Sequence, residues 1–219
     1  MIFESFETQL TQEQLTIWRS LNTPYLIQQY LDGIAYRREE RDRSPLNVIR
    51  DSQGHCLDGG LFAAAALHRI GFKALILDLV PEPGIDDDHV LAIFKKRGLF
   101  GAVAKSNFSG LRFREPVFRS VRELVMSYFE VFFNENGQKT LRGYTRPMLI
   151  SPPYPMDWLV DEKAVAKLAR SFYQRKTVPV LPTASIPELN LLDERSMKSG
   201  MLGTNLDELY PGGEGNSSH

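Results

Sequence analysis

The sequence predicts an α+β protein in which a central helix, starting at a lone cysteine, packs on an antiparallel sheet, with further helices at the N- and C-terminal ends. Three observations carry this. The stretch "CLDGGLFAAAALHRI" has helical spacing, is built mostly of small residues and is closed by Gly71. Three apolar runs follow it, "FKALILDLVPEPG", "HVLAIFKK" and "LFGAVAKSN", the last two joined by the short turn Arg97-Gly98. Helical patterns flank this block instead of alternating with its strands, which is the α+β arrangement.

Taken in order, "TQEQLTIWRSLN" is a first amphipathic helix. A second starts with Thr23 as N-cap and Pro24 at its first position, and Leu26, Ile27, Tyr30, Leu31 and Ile34 recur along it at three- and four-residue steps. The alternating charges of Arg37 to Arg43 read as its solvated end, and "SPLNVIRDSQG" as a turn-rich approach to the cysteine. The central helix runs from Cys56 to Ile70. A strand ends at the prolines of "VPEPG", the acidic "IDDD" forms a loop, and His89 opens the next strand. A helix is expected to start near Ser120, a tight hairpin at Asn136-Gly137, irregular chain through "SPPYPMDW", and a last helix from Asp161 to Arg175. Residues 1–180 therefore read as a single domain, with a core at about 47–108 and a helix-and-hairpin extension over 109–180. Residues 181–219 read as an extended or partly disordered tail.

Composition narrows the function. The 219 residues are 42% hydrophobic and 24% charged, ordinary for a chain that buries a real core. A net charge of −1 argues against a nucleic-acid binder, which carries a basic excess. One cysteine cannot make an internal disulfide, no stretch reads as a signal peptide, and no apolar run is as long as a membrane span. A bacterial cytoplasm is the default compartment. The arginines of "LRFREPVFRSVREL" read as exposed and offset by Glu115 and Glu123, and "DGG" and "PGGEG" lack the strand-to-helix setting of a phosphate loop.

The chemistry concentrates on Cys56. A thiol at a helix N-terminus feels the partial positive charge there, and a neighbouring imidazole lowers its pKa further. His68 is twelve residues along the same helix, about 18 Å away at ~1.5 Å per residue. His55 is adjacent in sequence but points elsewhere, so His89 is the expected base. Its orienting acceptor is expected on the next strand: a two-residue turn at Arg97-Gly98 sets Ser106 opposite His89, and a different loop or a bulge brings Lys105, which cannot accept, or Asn107 there. Asn107 is preferred because its amide oxygen accepts, with Ser106 and an aspartate, Asp88 above all, as secondary candidates. Gln53 and the Cys56 backbone N–H are the expected oxyanion donors. "DDDH" is read as a solvated turn and not as a metal site, since consecutive residues cannot all point inward. No metal or organic cofactor is required.

The stretches "GHCLDGGLFAAAALHRIGFKALIL" and "DDDHVLAIFKKRGLFGAVAKSN" resemble the transglutaminase-like superfamily, with its glycine-x-cysteine before a small-residue helix and its histidine at a strand start. The resemblance spans about Asn47 to Phe108. It implies a papain-like α+β core and a Cys-His-Asp relay, carried here by Cys56 and His89, with Asn107 where the family has aspartate. It further implies acyl transfer or hydrolysis at an amide or peptide bond through a thioester, on a peptide, protein or small amide substrate. Members that have lost catalysis imply the alternative, a binding or scaffold protein.

Overall fold

The computed structural model describes residues 3–210. Its elements run α1 (Glu4–Glu7), α2 (Gln12–Ser20), α3 (Pro24–Gly33), β1 (Ala35–Tyr36), α4 (Pro45–Asp51), β2 (Gln53–Gly54), α5 (Cys56–Arg69), β3 (Leu75–Pro81), β4 (His89–Lys96), β5 (Leu99–Val103) and β6 (Arg114–Phe118). They continue with α6 (Val121–Met126), β7 (Leu141–Thr145), β8 (Met148–Leu149), α7 (Glu162–Tyr173), β9 (Thr177–Pro179) and α8 (Glu194–Gly200). Strands β6-β5-β4-β3-β7-β9 lie side by side in that order and β8 also pairs with β3, every pairing antiparallel. The α+β class read from the sequence is the fold observed, with the Cys56 helix packed on an antiparallel sheet. Among the described residues no helix is long and apolar enough to cross a membrane.

Local chemistry sets the helix starts. The Thr11, Thr23, Ser44, Ser120 and Asp161 side chains each accept from a backbone N–H in the first turn of the helix they precede. Helix α3 stops at Gly33, well short of the charged run, because buried Lys105 caps its end. The Lys105 Nζ donates to the carbonyls of Leu31 at 2.7 Å and Ile34 at 2.6 Å, groups that a helix C-terminus leaves without partners. Burial lowers the Lys105 pKa to about 8. After α3 the chain extends, and β1 pairs in parallel with β2.

The sheet carries apolar side chains on both faces. Ile76, Val90, Ala92, Phe94 and Val103 join the cluster built around α5. Leu77, Leu79, Leu91, Ile93 and Ala102 join a second cluster with Leu124, Tyr128 and Phe132. Helix α5 is buried from Cys56 through Leu67. Its approach to the sheet depends on two glycines: a Cβ at Gly59 would lie 2.1 Å from Lys105 Cβ, and one at Gly60 would lie 2.8 Å from Val90 Cγ1.

Several expectations change. The run Arg37 to Arg43 lies beyond the end of α3 and is exposed from Arg37 to Arg41 as expected, but Arg43 is 1% exposed and is held by Glu39, Asp51 and Asp58. "SPLNVIRDSQG" holds helix α4, whose Ser-Pro start is itself a helix-start signal. The Asn136-Gly137 turn forms, with Gly137 at φ 72°, but closes only a single bridge between Phe133 and Lys139. The tail does not trail away through Tyr210: it forms α8 and two 3₁₀ turns, and Leu192 N–H, Ser199 O and Gly200 O bond to Gly137 and Ser109 of the domain. The end "PGGEGNSSH" lies outside the described residues.

Replacing Gly59 with alanine forces Lys105 off the helix and unseats its bonds to α3. Gly59→Ala is expected to cost about 1–3 kcal/mol in urea unfolding, the usual range for overpacking; an unchanged midpoint would mean that this glycine does not set the helix-to-sheet spacing.

Candidate functional site

Cys56 is the first residue of α5 and is 8% exposed. Its Sγ lies 3.7 Å from the Asp88 carbonyl oxygen, and the Val90 N–H donates toward the sulfur. Burial, and then the carboxylates of Asp88 and Asp87, push the thiol well above its ordinary pKa, so it is held protonated. The thiol lines a cleft of about 390 Å³ together with Tyr36, Arg38, His55, Asp88 and Tyr173.

His89 does not join it. Val90 meets Gly60 of α5, and side chains alternate along a strand, so Asp88 and Val90 face the helix while His89 faces the other way. Its Nε2 is 2.7 Å from the Leu111 carbonyl oxygen, which fixes the proton on that nitrogen. Burial lowers the His89 pKa to about 4, leaving the ring neutral. The two-residue turn at Arg97-Gly98 does form, with Lys96 opposite Leu99 and Ala92 opposite Val103. Continued past the end of β5, that register brings Ser106 opposite His89.

The remaining expected residues are also elsewhere. Ser106 and Asn107 line a separate small cavity with His89, of about 50 Å³. Asn107 Nδ2 donates to Asn205 O at 2.9 Å, and its Oδ1 accepts from Asn205 N at 2.9 Å, so its carboxamide holds the C-terminal segment. The Ser106 hydroxyl accepts from Phe108 N–H at 3.0 Å. Gln53 pairs with Ala35 in the β1–β2 ladder and is not among the residues lining the cleft. Of the expected site residues, only Asp88 meets Cys56, while His89, Ser106 and Asn107 gather around the other cavity.

What surrounds Cys56 instead is acidic. Asp78 pairs in register with Val90, so it points to the α5 side of the sheet, and it is 4% exposed. Its carboxyl group bonds that of Asp88, which also accepts from the Tyr173 hydroxyl. Tyr173 leaves 45% of its surface exposed while its hydroxyl reaches the cleft. Asp78 Oδ1 and Asp88 Oδ2 are buried without a hydrogen-bond partner. Burial first, then the neighbouring acids, raises Asp78 to about 9 and Asp88 to about 6. One proton is therefore shared by the pair near neutrality. The signal for Asp78 in the sequence is a single acid inside the apolar run "ALILDLV".

A second cluster sits at the mouth. His55 Nε2 is 3.3 Å from Asp58 Oδ1 and 3.6 Å from Asp42 Oδ1. Among the described residues, Asp42, His55 and Asp58 are the trio whose donor atoms all lie within 4.8 Å of one another, the spacing a metal needs. Asp58 is already committed: it accepts from Arg43 N at 2.7 Å and from His55 N at 3.2 Å, closing the first turn of α5.

No protein-family model matches the sequence, and no curated protein does. Among solved structures the chain is similar to Legionella pneumophila LapG, at a TM-score of 0.42 and 9% identity, over 78% of this chain and 94% of that one.

The acid pair makes stability depend on pH. Because folding raises the Asp78 pKa from 3.8 to about 9, its stabilising effect is present below pH 3.8 and is lost as pH rises towards 9. His89, lowered from 6.5 to about 4, works in the opposite sense and loses stability as pH falls through that interval. Asp78→Asn is expected to remove most of the decline on the alkaline side, measured as melting temperature against pH; a wild-type slope in the variant would contradict the assigned burial.

Proposed function

We propose that this chain is a binding protein on a transglutaminase-like scaffold, with the Cys56 cleft as its ligand site, and not a Cys-His-Asn hydrolase. The observation that carries this is the bond from His89 Nε2 to Leu111 O, on the sheet face away from the thiol. A neutral, buried thiol surrounded by carboxylates also lacks the neighbouring cation that activates a cysteine nucleophile.

A second reading is favoured by the exposure of the Cys56 site to a cleft at the N-terminus of α5. In it Cys56 attacks an amide carbonyl, its proton passes to Asp88, the amine departs with a proton, and the thioester is released to water or to another amine. The residues differ from those expected: Asp88 takes the part assigned to His89.

Alkylation of native Cys56 by iodoacetamide against pH separates the two. Under the binding reading the rate is slow at neutral pH and rises only above the free thiol range, ~8.5. It is also unchanged in His89→Gln, which keeps a donor for Leu111 O. Rapid alkylation well below that range, lost in His89→Gln, would restore the histidine relay and overturn the reading. Rapid alkylation lost only in Asp88→Asn would favour the thiol enzyme.

A further inference from the structure

His89, Ser106 and Asn107 meet on the sheet face away from α5, around a cavity of about 50 Å³ with room for about four water-sized groups. Leu111, Phe108 and Phe132 supply its apolar wall. His89 is 4% exposed, and its ring makes one hydrogen bond, from Nε2–H to Leu111 O at 2.7 Å. With the proton on Nε2, Nδ1 is left as an acceptor. No described residue donates to Nδ1, yet it is not sealed from solvent as Asp78 Oδ1 and Asp88 Oδ2 are. It therefore opens into the cavity that His89 lines. An almost buried acceptor without a donor is costly, and the strand does not demand one: Leu91 and Ile93 hold the next positions on the same face.

Ser106 is in the complementary state. Its Oγ accepts from Phe108 N–H at 3.0 Å, and its own proton goes to no described residue. It stands opposite His89 when the β4–β5 register is continued past the end of β5. The two groups do not bond each other, so what joins them needs a donor and an acceptor on separate atoms. Charge narrows the choice further. Asp86, Asp87 and Glu208 also line the cavity, which disfavours an anion. These three carboxylates are already committed, Asp86 to Thr140 and the Asp87 N–H, Asp87 to Arg38, and Glu208 to Arg37 and the Arg38 N–H. None of the three is free to balance a cation.

We propose that the His89 cavity is a second ligand site, for a small uncharged molecule with a primary carboxamide. The amide N–H donates to His89 Nδ1, the amide oxygen accepts from the Ser106 hydroxyl, and the apolar end of the ligand rests on Phe108 and Phe132. A primary amide carries its donor and acceptor on two atoms along one planar edge, whereas an alcohol carries both on a single oxygen. The site goes beyond the binding reading and does not rest on it, since Cys56 does not line this cavity.

The test is NMR titration of the full chain with acetamide at neutral pH, following the imidazole nitrogens through long-range ¹H–¹⁵N correlations. Burial keeps the His89 ring neutral there, so the Nδ1 shift reports hydrogen bonding and not protonation. The expected result is a saturable shift of His89 Nδ1 in the millimolar range, as suits a ligand of so few atoms, with none at His55 or His68. N,N-dimethylacetamide, which lacks the N–H, acetate and methylammonium are each expected to bind at least about tenfold more weakly. Ser106→Ala is expected to weaken acetamide about two- to tenfold, the range for one neutral hydrogen bond. His89→Gln keeps a donor for Leu111 O and loses Nδ1, so acetamide should no longer shift the backbone amides around the cavity; melting temperatures check that both variants fold. No saturable shift, which would leave a cavity holding water only, overturns the proposal. So does dimethylacetamide or methylammonium binding as tightly as acetamide, or wild-type affinity in Ser106→Ala. Alkylation of Cys56 reads the opposite face of the sheet, so this site and the binding reading fail separately.

Discussion

The contact of Gly59 and Gly60 with Lys105 and Val90 governs the site. Without Cβ atoms at these two positions, α5 can sit directly on β4, and the place where it sits decides the parity of the strand. Val90 under Gly60 commits Ala92 and Phe94 to the same side and sends His89, Leu91 and Ile93 to the other. The residue that meets the thiol is then Asp88. The same contact carries Lys105 under α5 and on to the end of α3, so the helix boundary, the loop into β1 and the environment of Cys56 all follow from one close approach.

That approach also shows what sequence can and cannot say here. The central helix, its start at Cys56, the strand beginning at His89 and the two-residue turn at Arg97-Gly98 are all legible, because each depends on local spacing or on glycine at a turn. Which face His89 occupies is not legible. "HVLAIF" is apolar at every position after the histidine, since both faces of β4 are buried, so there is no polar alternation to reveal which way it turns. Asn107 was misplaced for a related reason: its partner, Asn205, is 98 residues away in a segment with no pattern of its own. Arg43 looked solvated because its neighbours are charged, yet its partners Asp51 and Asp58 lie on two later helices. The resemblance around Cys56 foretold the arrangement of helix and sheet, and the side chains presented to the thiol are a separate matter.

Electrostatically the cleft is the inverse of an activated thiol site. An imidazolium or a helix terminus unopposed by acids lowers a thiol pKa, whereas here two carboxyl groups and a low-dielectric setting raise it. The helix dipole at Cys56 is countered by Asp58 in the first turn and by Asp88 from the sheet. The buried cations are committed elsewhere: Lys105 donates to the carbonyls of Leu31 and Ile34, and Arg43 is held by Glu39, Asp51 and Asp58.

The C-terminal segment adds a consequence of another kind. Glu208 accepts from Arg37 and from the Arg38 N–H, partners 171 and 170 positions earlier in the chain, and Asn205 grips Asn107. The two Glu208 bonds span more of the sequence than any other hydrogen bond among the described residues and form only after Glu208 has been made. During synthesis the sheet, α5 and the acid pair can therefore assemble with Arg37, Arg38 and Asn107 still open to water. The segment around Asn205 and Glu208 closes over them afterwards, so a chain cut before Asn205 leaves Arg37, Arg38 and Asn107 without these partners.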